Sequence, residues 1–248
     1  MSLKLTIVGC GDAFGSGGRR NTCFHLETED ARYFVDFGAS AMVGVHALEI
    51  DTNAVDAVIL SHLHGDHFGG LPFLILHEHF VTNRTRPLTI AGPPGVERRI
   101  RDAQEVLFPD SSSIELGFEL RFVELVPGET THVSGADIEA FEVSHPSGAP
   151  PLALRIGAGD RLFAFSGDTL WLDVLVDVAR GADLFMCECY AFEEPIPYHV
   201  RYRDLEANLP RLSARRVMVN HLGPESRGRV GEIDKAIERA EDGLVVEV

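Results

Sequence analysis

Ser61-His62-Leu63-His64-Gly65-Asp66-His67 follows directly on Ala54–Leu60, a run that is almost wholly apolar. A short apolar run of this kind predicts a strand buried on both faces. Four side chains able to ligate a metal, His62, His64, Asp66 and His67, then fall within six positions. At a strand's C-terminal end they can turn inward together only on a loop, and Gly65 permits the tight turn. Imidazole nitrogen with carboxylate oxygen suits zinc, and also manganese or iron. A solvated histidine-rich loop is the bland alternative, but H-x-H-x-D-H behind an apolar strand is a strong metal signal.

Outward from this loop the chain reads as strands first, then strand–helix alternation, and the pattern occurs twice. Strands are predicted at Leu3–Val8, Thr22–Leu26, Arg32–Phe37 and Leu88–Ala91, with helices at Ser40–Glu49, Pro72–Val81 and Gly95–Leu107. The second half gives strands at Glu119–Val126, Ala136–Val143, Ala153–Gly157, Leu162–Phe165, Asp183–Cys187, Arg216–Val219 and Leu244–Val248. Helices are predicted there at Leu170–Arg180, Arg203–Leu212 and Gly231–Ala240. Two sheets packed together with helices outside account for this order, an α/β (α+β) fold of four αββα layers. No linker divides the chain, so one domain over residues 1–248 is expected.

The 248 residues carry 22 Lys+Arg against 38 Asp+Glu, a formal net charge of −16. Such a chain does not bind polyanions through overall charge, because nucleic-acid affinity rests on clustered Lys and Arg. No run approaches the roughly 18–20 apolar residues of a membrane span. The opening residues are too short and too alternating for a signal peptide. Cys10, Cys23, Cys187 and Cys189 are read as reduced thiols of a cytoplasmic chain.

The histidine motif resembles that of the metallo-β-lactamase superfamily, and the order of motifs matches over nearly the whole length. The downstream ligands that the resemblance implies each stand at the end of a predicted strand. They are His145 in Val143-Ser144-His145-Pro146, Asp168 in Ser166-Gly167-Asp168-Thr169, and His221 in Val219-Asn220-His221-Leu222. The resemblance implies that His62, His64 and His145 hold one divalent ion. Asp66, His67 and His221 would hold a second, with Asp168 bridging both. Two ions, most readily Zn2+ with Mn2+ or Fe2+ as alternatives, would offset the converging charge. They would bring a bridging water towards a pKa of about 7, supplying a hydroxide nucleophile. Asp36 matches a family position that orients a ligand histidine. A turn-capping aspartate before Phe37-Gly38 is the equal alternative.

Within the superfamily, Gly65-Asp66-His67-Phe68-Gly69-Gly70-Leu71-Pro72 is similar to the RNase Z and small phosphodiesterase branch. There a glutamate supports a histidine that protonates the leaving alkoxide, and Glu188 and His199 stand in the corresponding places, His199 opening a helix. Asp66, Glu188 and His199 are thus the candidate catalytic residues. Arg19 and Arg20 sit in a glycine-rich loop that could contact an anion or simply be solvated. RNase Z carries a long basic arm between the third-histidine and bridging-aspartate motifs. Here only Pro146–Gly167 separates them, which argues against tRNA.

The reading is a dinuclear metal-dependent hydrolase cleaving a small phosphodiester or cyclic phosphodiester. The substrate is a small, anionic molecule, and the resemblance carries the expectation of a homodimer. One alternative keeps the fold: a lactone or thioester hydrolase, or a mono-iron sulfur dioxygenase. A second is a non-catalytic metal or ligand sensor. A pocket lined by Arg favours phosphate, and a wide apolar one favours esters or lactones. Two decoys are set aside. Gly9-Cys10-Gly11-Asp12-Ala13-Phe14-Gly15 imitates a dinucleotide loop, but a strand follows where a helix should start. His77 and His79 lie two apart on a predicted helix and point about 200° apart, so they do not share a metal.

Overall fold

A computed structural model describes residues 3–248. β1 (Lys4–Gly9), β2 (Cys23–Glu27) and β3 (Arg32–Val35) form an antiparallel meander. α1 (Ala41–Ala47) crosses to β4 (Ala57–Ile59), α2 (Gly65–Phe68) and α3 (Leu71–Phe80) to β5 (Leu88–Gly92), and α4 (Val96–Leu107) to β6 (Leu120–Glu124). From β3 to β6 the pairing is parallel. β7 (Thr130–Val133), β8 (Ala136–Glu142), β9 (Leu152–Ala158) and β10 (Arg161–Phe165) are antiparallel. α5 (Val174–Ala179), β11 (Leu184–Glu188), α6 (Tyr202–Asn208), β12 (Val217–Asn220), α7 (Pro224–Gly228) and β13 (Ile237–Arg239) follow, with parallel pairing from β10 to β13. β14 (Val245–Glu247) returns to pair with β1. Each sheet has seven strands, in the orders β14-β1-β2-β3-β4-β5-β6 and β13-β12-β11-β10-β9-β8-β7.

The strand period of two sorts side chains between layers. β2 sends Phe24 and Leu26 between the sheets, where Phe24 meets Phe163 and Phe165 edge-on at 6.1 and 5.3 Å. Its Cys23 joins Phe34, Val45, Leu74 and Ile100 under the helices of the first sheet. Phe185, Leu175, Val178 and Leu205 form the matching layer on the second sheet. Each such side chain removed from water contributes roughly 1.5–3 kcal/mol. The expected four-layer αββα arrangement is thus the observed one. Among the described residues no helix is long and apolar enough to cross a membrane. The parallel strands β3, β4, β10, β11 and β12 end on one edge of the sandwich, where their following loops converge.

Two local expectations are corrected, and one strand is present that was not expected. Gly231–Ala240 is not a helix but a short 3-10 turn at Val230–Glu232 followed by β13. Asp234 Oδ1 accepts from Ala236 N at 2.8 Å, a local turn that competes with helix, and Ile237 pairs with Val217 at the sheet edge. Thr130–Val133 is a strand although its sequence lacks apolar alternation, because hairpin pairing with β8 supplies its partners. The helix expected over Leu170–Arg180 is only Val174–Ala179, since Thr169–Asp173 is drawn into the loop beyond β10.

A buried ionic clip holds α3 against the segment that leads into β4. Arg84 donates to the carbonyls of Thr52, Val55 and Pro87 at 3.1, 2.6 and 2.7 Å, and to Glu78 Oε2 at 3.3 Å. Arg84→Leu strands the Glu78 carboxylate in the interior. The expected cost is about 3–5 kcal/mol, read from urea unfolding. His25 gives the fold an acid limb. Burial pushes its pKa down to about 4, with Glu27 opposing. An unfolded histidine protonates near 6.5. The neutral folded form therefore contributes fully above that pH, and its contribution fades as pH falls towards 4. The loss approaches about 3 kcal/mol. His25→Leu should flatten the stability curve over this interval.

Candidate metal centre

The buried strand β4 delivers Ser61 and His62 to the converging edge, both fully buried. The chain then turns into α2, with His64 as the residue before it and Asp66 and His67 within it. Asp36, at the end of β3, lies beneath this turn in the left-handed region (φ 55°) and is fully buried. Its carboxylate accepts Ser61 N at 2.8 Å, Ser61 Oγ at 2.8 Å and His67 Nδ1 at 2.7 Å. Burial raises its pKa, with His67 and Ser61 opposing. With Nδ1 committed to Asp36, His67 turns Nε2 into the cluster, 3.2 Å from Asp66 Oδ2 and 3.3 Å from Asp168 Oδ2. Of the two readings left open for Asp36, the structure selects the one in which it orients a histidine.

The second sheet brings the remaining donors. His145 follows β8 and donates Nδ1–H to the Tyr198 carbonyl at 3.0 Å, while its Nε2 faces His64 Nδ1 at 3.0 Å. Asp168 follows β10. His221 follows β12 in the left-handed region (φ 56°), with its N–H on the Cys10 carbonyl at 2.9 Å. His221 Nε2 lies 3.3 Å from Asp66 Oδ2 and 3.4 Å from Asp168 Oδ2. Two groups result, with donor atoms inside each within 4.8 Å of one another: His62, His64 and His145, and Asp66, His67, Asp168 and His221. His145, Asp168 and His199 form a third such group and Glu188, His199 and His221 a fourth, so Asp168 reaches towards both sides and His199 borders the cluster.

The donors fit divalent cations on their own chemistry. His62 Nε2, His67 Nε2, Asp168 Oδ1 and His221 Nδ1 are buried without a hydrogen-bond partner. Unpaired buried polar atoms are uncommon and costly. Burial and neighbouring His67 hold His62 far below the usual histidine range. Burial opposes, but Asp168 and Asp66 outweigh it in raising His67, and Asp168 leads in raising His221 to about 9. Burial favours neutral carboxyls, yet His67 and His221 hold Asp66 and Asp168 well below the carboxylate range. These opposed shifts couple the carboxylates to the imidazoles, and a cation would compete with protons for the same donor atoms.

Beside this cluster, fully buried Glu188 at the end of β11 accepts Thr169 N at 2.8 Å, Tyr190 N at 3.2 Å and His199 Nδ1 at 3.0 Å. Burial lowers the pKa of His199, but the hydrogen bond and charge of Glu188 outweigh it and raise the net value. His199 does not open a helix as expected. It lies in the loop before α6, and its ring stacks on Tyr190 at 4.8 Å. Arg19 and Arg20 do not reach the pocket. Arg19 pairs with Glu241, and Arg20 donates to the Val8 carbonyl and pairs with Asp242. His77 and His79 contact Glu78 and Gly117 N instead of a common centre. A cavity of about 520 Å³ opens over the donors, walled by Ala13, Phe14, Tyr190, Ile196 and Pro197, with no Lys or Arg among its described lining residues. These wall residues carry no motif of their own. Phe14 falls inside the glycine-rich stretch set aside as a decoy, and Tyr190 is marked only by its nearness to Glu188.

The fold is that of the metallo-β-lactamase type, and its donor cluster holds the side chains that could bind divalent cations. Its structure superimposes on the metallo-β-lactamase fold protein YhfI of Bacillus subtilis with a TM-score of 0.78, at 21% identity and with all of both chains covered. The chain belongs to the Anti-Pycsar protein Apyc1 family, whose model matches residues 3–240. It is 23% identical over 232 residues to the Anti-Pycsar protein Apyc1 of Bacillus phage 010DV004, covering 90% of each chain. It is also 32% identical to the ribonuclease Z of Lachnoclostridium phytofermentans over 144 residues, which is 58% of this chain and 45% of that one. The chain thus spans about half the length of the curated ribonuclease Z that it matches.

Asp36→Asn keeps the shape and alters the partner of His67. It should weaken divalent-ion affinity about 10- to 100-fold, measured by chelator competition. Elemental analysis of the unsubstituted chain should give two ions, and stripping them should lower its melting temperature.

Proposed function

We propose that the chain hydrolyses a small phosphodiester, linear or cyclic, at two divalent ions, most readily zinc. His62, His64 and His145 would hold one, Asp66, His67 and His221 the other, with Asp168 between them. The observation that carries this reading is the Glu188–His199 hydrogen bond of 3.0 Å beside the donor cluster. Bound divalent ions would supply Lewis acidity and bring a coordinated water's pKa to about 7.

The chain's own residues do the rest. Glu188 is fixed by two backbone N–H groups and accepts the Nδ1–H of His199, which favours the doubly protonated ring whose Nε2–H can be given up in the pocket. That suits protonation of an alkoxide leaving group. A thiolate leaves without such help, which disfavours a thioester. The cation-free wall favours a substrate with a single negative charge, as in a diester, over a phosphomonoester or a polynucleotide. Between His145 and Asp168 the chain holds only the β9–β10 hairpin and its flanking loops, and its formal charge is −16. Both features support a substrate other than tRNA. Two donor groups speak for two ions over the single iron of a dioxygenase, and the complete donor set speaks against a non-catalytic sensor.

One observation favours a second reading. An apolar wall without Arg also suits a neutral ester or lactone. A zinc- or manganese-loaded preparation decides between them. Cleavage of bis(p-nitrophenyl) phosphate and of a cyclic phosphodiester is expected. Opening of lactones or thioesters with no phosphodiester cleavage would overturn the assignment. His199→Ala should lower kcat on the cyclic substrate by about 10²- to 10⁴-fold. The p-nitrophenyl ester should lose far less, because p-nitrophenolate departs without a proton.

A further inference from the structure

Phe14 is the most exposed large apolar side chain among the described residues, at 86%, yet it lines the cavity over the donor cluster. A phenyl ring left in water forgoes roughly 1.5–3 kcal/mol of burial, so a fold-level reason for its position is missing. The loop that carries it is held rigidly. Fully buried Asp12 accepts Phe14 N at 3.3 Å, Ser16 N at 2.8 Å and Ser16 Oγ at 2.6 Å. Asn21 Nδ2 donates to the Asp12 carbonyl at 3.0 Å, and Asn21 Oδ1 is tied to Ser40. Gly15 and Gly17 take left-handed conformations (both φ 67°), and the Arg227 side chain lies directly against Gly17. A ring presented on such a loop meets a ligand with little further loss of conformational freedom. The same cavity is also lined by Ile196, itself 42% exposed, and Pro197. This wall holds no cation, so nothing in it requires a second anionic group.

We propose that Phe14 is a specificity-determining residue, a platform on which a planar ring attached to the phosphodiester stacks while the diester sits over the donor cluster. The proposal rests on the hydrolase reading above for the position of the diester. The ligand class is a phosphodiester bearing one flat, uncharged heteroaromatic ring, as a nucleoside cyclic phosphate does. Ile196 and Pro197 supply further apolar lining.

The test uses the full metal-loaded chain and two probes, a purine nucleoside 3′,5′-cyclic phosphate and the same cyclic ribose phosphate without its base. Base–aromatic stacking is worth about 1–3 kcal/mol on alanine substitution, which converts to a roughly 5- to 150-fold change. Phe14→Ala is expected to raise KM for the nucleoside substrate by that factor with little change in kcat, and the loss should be confined to the substrate that carries the ring. Phe14→Tyr should restore the affinity and Phe14→Leu should not, which separates stacking from generic apolar contact. Fluorescence quenching of an ethenoadenosine cyclic phosphate gives a readout independent of turnover, present in the unsubstituted chain and in Phe14→Tyr, and lost in Phe14→Ala. Equal losses on both substrates, or unchanged affinity in Phe14→Ala, would overturn the role of Phe14. Binding of the fluorescent probe with quenching but no phosphodiester turnover would overturn the hydrolase reading and leave Phe14 in place. No binding and no turnover would overturn both.

Discussion

One buried carboxylate organises the centre. Asp36 sits fully inside the protein, and a carboxylate there is tolerable only if its oxygens are satisfied. Its three donors come from Ser61 and His67, so one side chain ties the end of β3 to the end of β4 and to the turn of α2. Backbone contacts reinforce the same junction, with Phe37 N on the His67 carbonyl at 2.7 Å and Gly70 N on the Phe37 carbonyl at 3.0 Å. Gly38 and Gly70 are needed because a Cβ at either would collide with a backbone oxygen, that of Asp66 in the first case and that of Gly38 in the second. The geometry of the H-x-H-x-D-H turn thus follows from satisfying Asp36, and the inward turn of His67 Nε2 is one outcome of that satisfaction.

The rest of the centre carries strain in return for position. Asp36, Tyr198 and His221 all adopt left-handed backbone conformations without being glycine. Such residues cost of order 1–3 kcal/mol each. In each case the unusual backbone aims one group. Asp36 places its carboxylate under His67, Tyr198 turns its carbonyl to His145 Nδ1, and His221 points its ring towards Asp66 and Asp168. A site formed from the ends of six strands in two sheets cannot adjust one donor without moving a whole layer. The strain is therefore retained locally instead of relaxing into the packed sheets.

The layers and the donors are legible in the sequence because both leave periodic or clustered marks. Apolar alternation in Leu3–Val8 and the buried run before Ser61 mark strands, and donors stand where strands end. The failures share a cause, that tertiary pairing outweighs local pattern. Ile233 and Ile237 are spaced like a helix face, but the Asp234 turn and the edge of β12 take the segment instead. Thr130–Val133 has no apolar pattern because, as an edge strand, it is held by its hairpin. His199 is found by resemblance, yet its place in a loop depends on Glu188, eleven residues earlier in the chain. The pocket wall leaves no mark at all, since Phe14, Ile196 and Pro197 look like ordinary loop residues until the two sheets bring their loops together. The arginines of the glycine-rich loop mislead in the opposite direction. Acidic residues near the end of the chain occupy them.

Those acidic residues fasten the rim of the pocket from far along the chain. Asp242 accepts Cys10 N and Arg20 N, both at 3.0 Å, at the two ends of the loop that carries Phe14. Next to it Gly243 N and Leu244 O pair with Ile7 at 2.7 and 2.8 Å, and β14 lies on β1. The donors of the first group can converge once the strands bearing His62, His64 and His145 have paired. The rim of the pocket is thus held by hydrogen bonds between residues 232 and 222 positions apart. Loosening residues 241–247 would therefore free the Phe14 loop at both ends while leaving the strands that lead to His62, His64 and His145 paired.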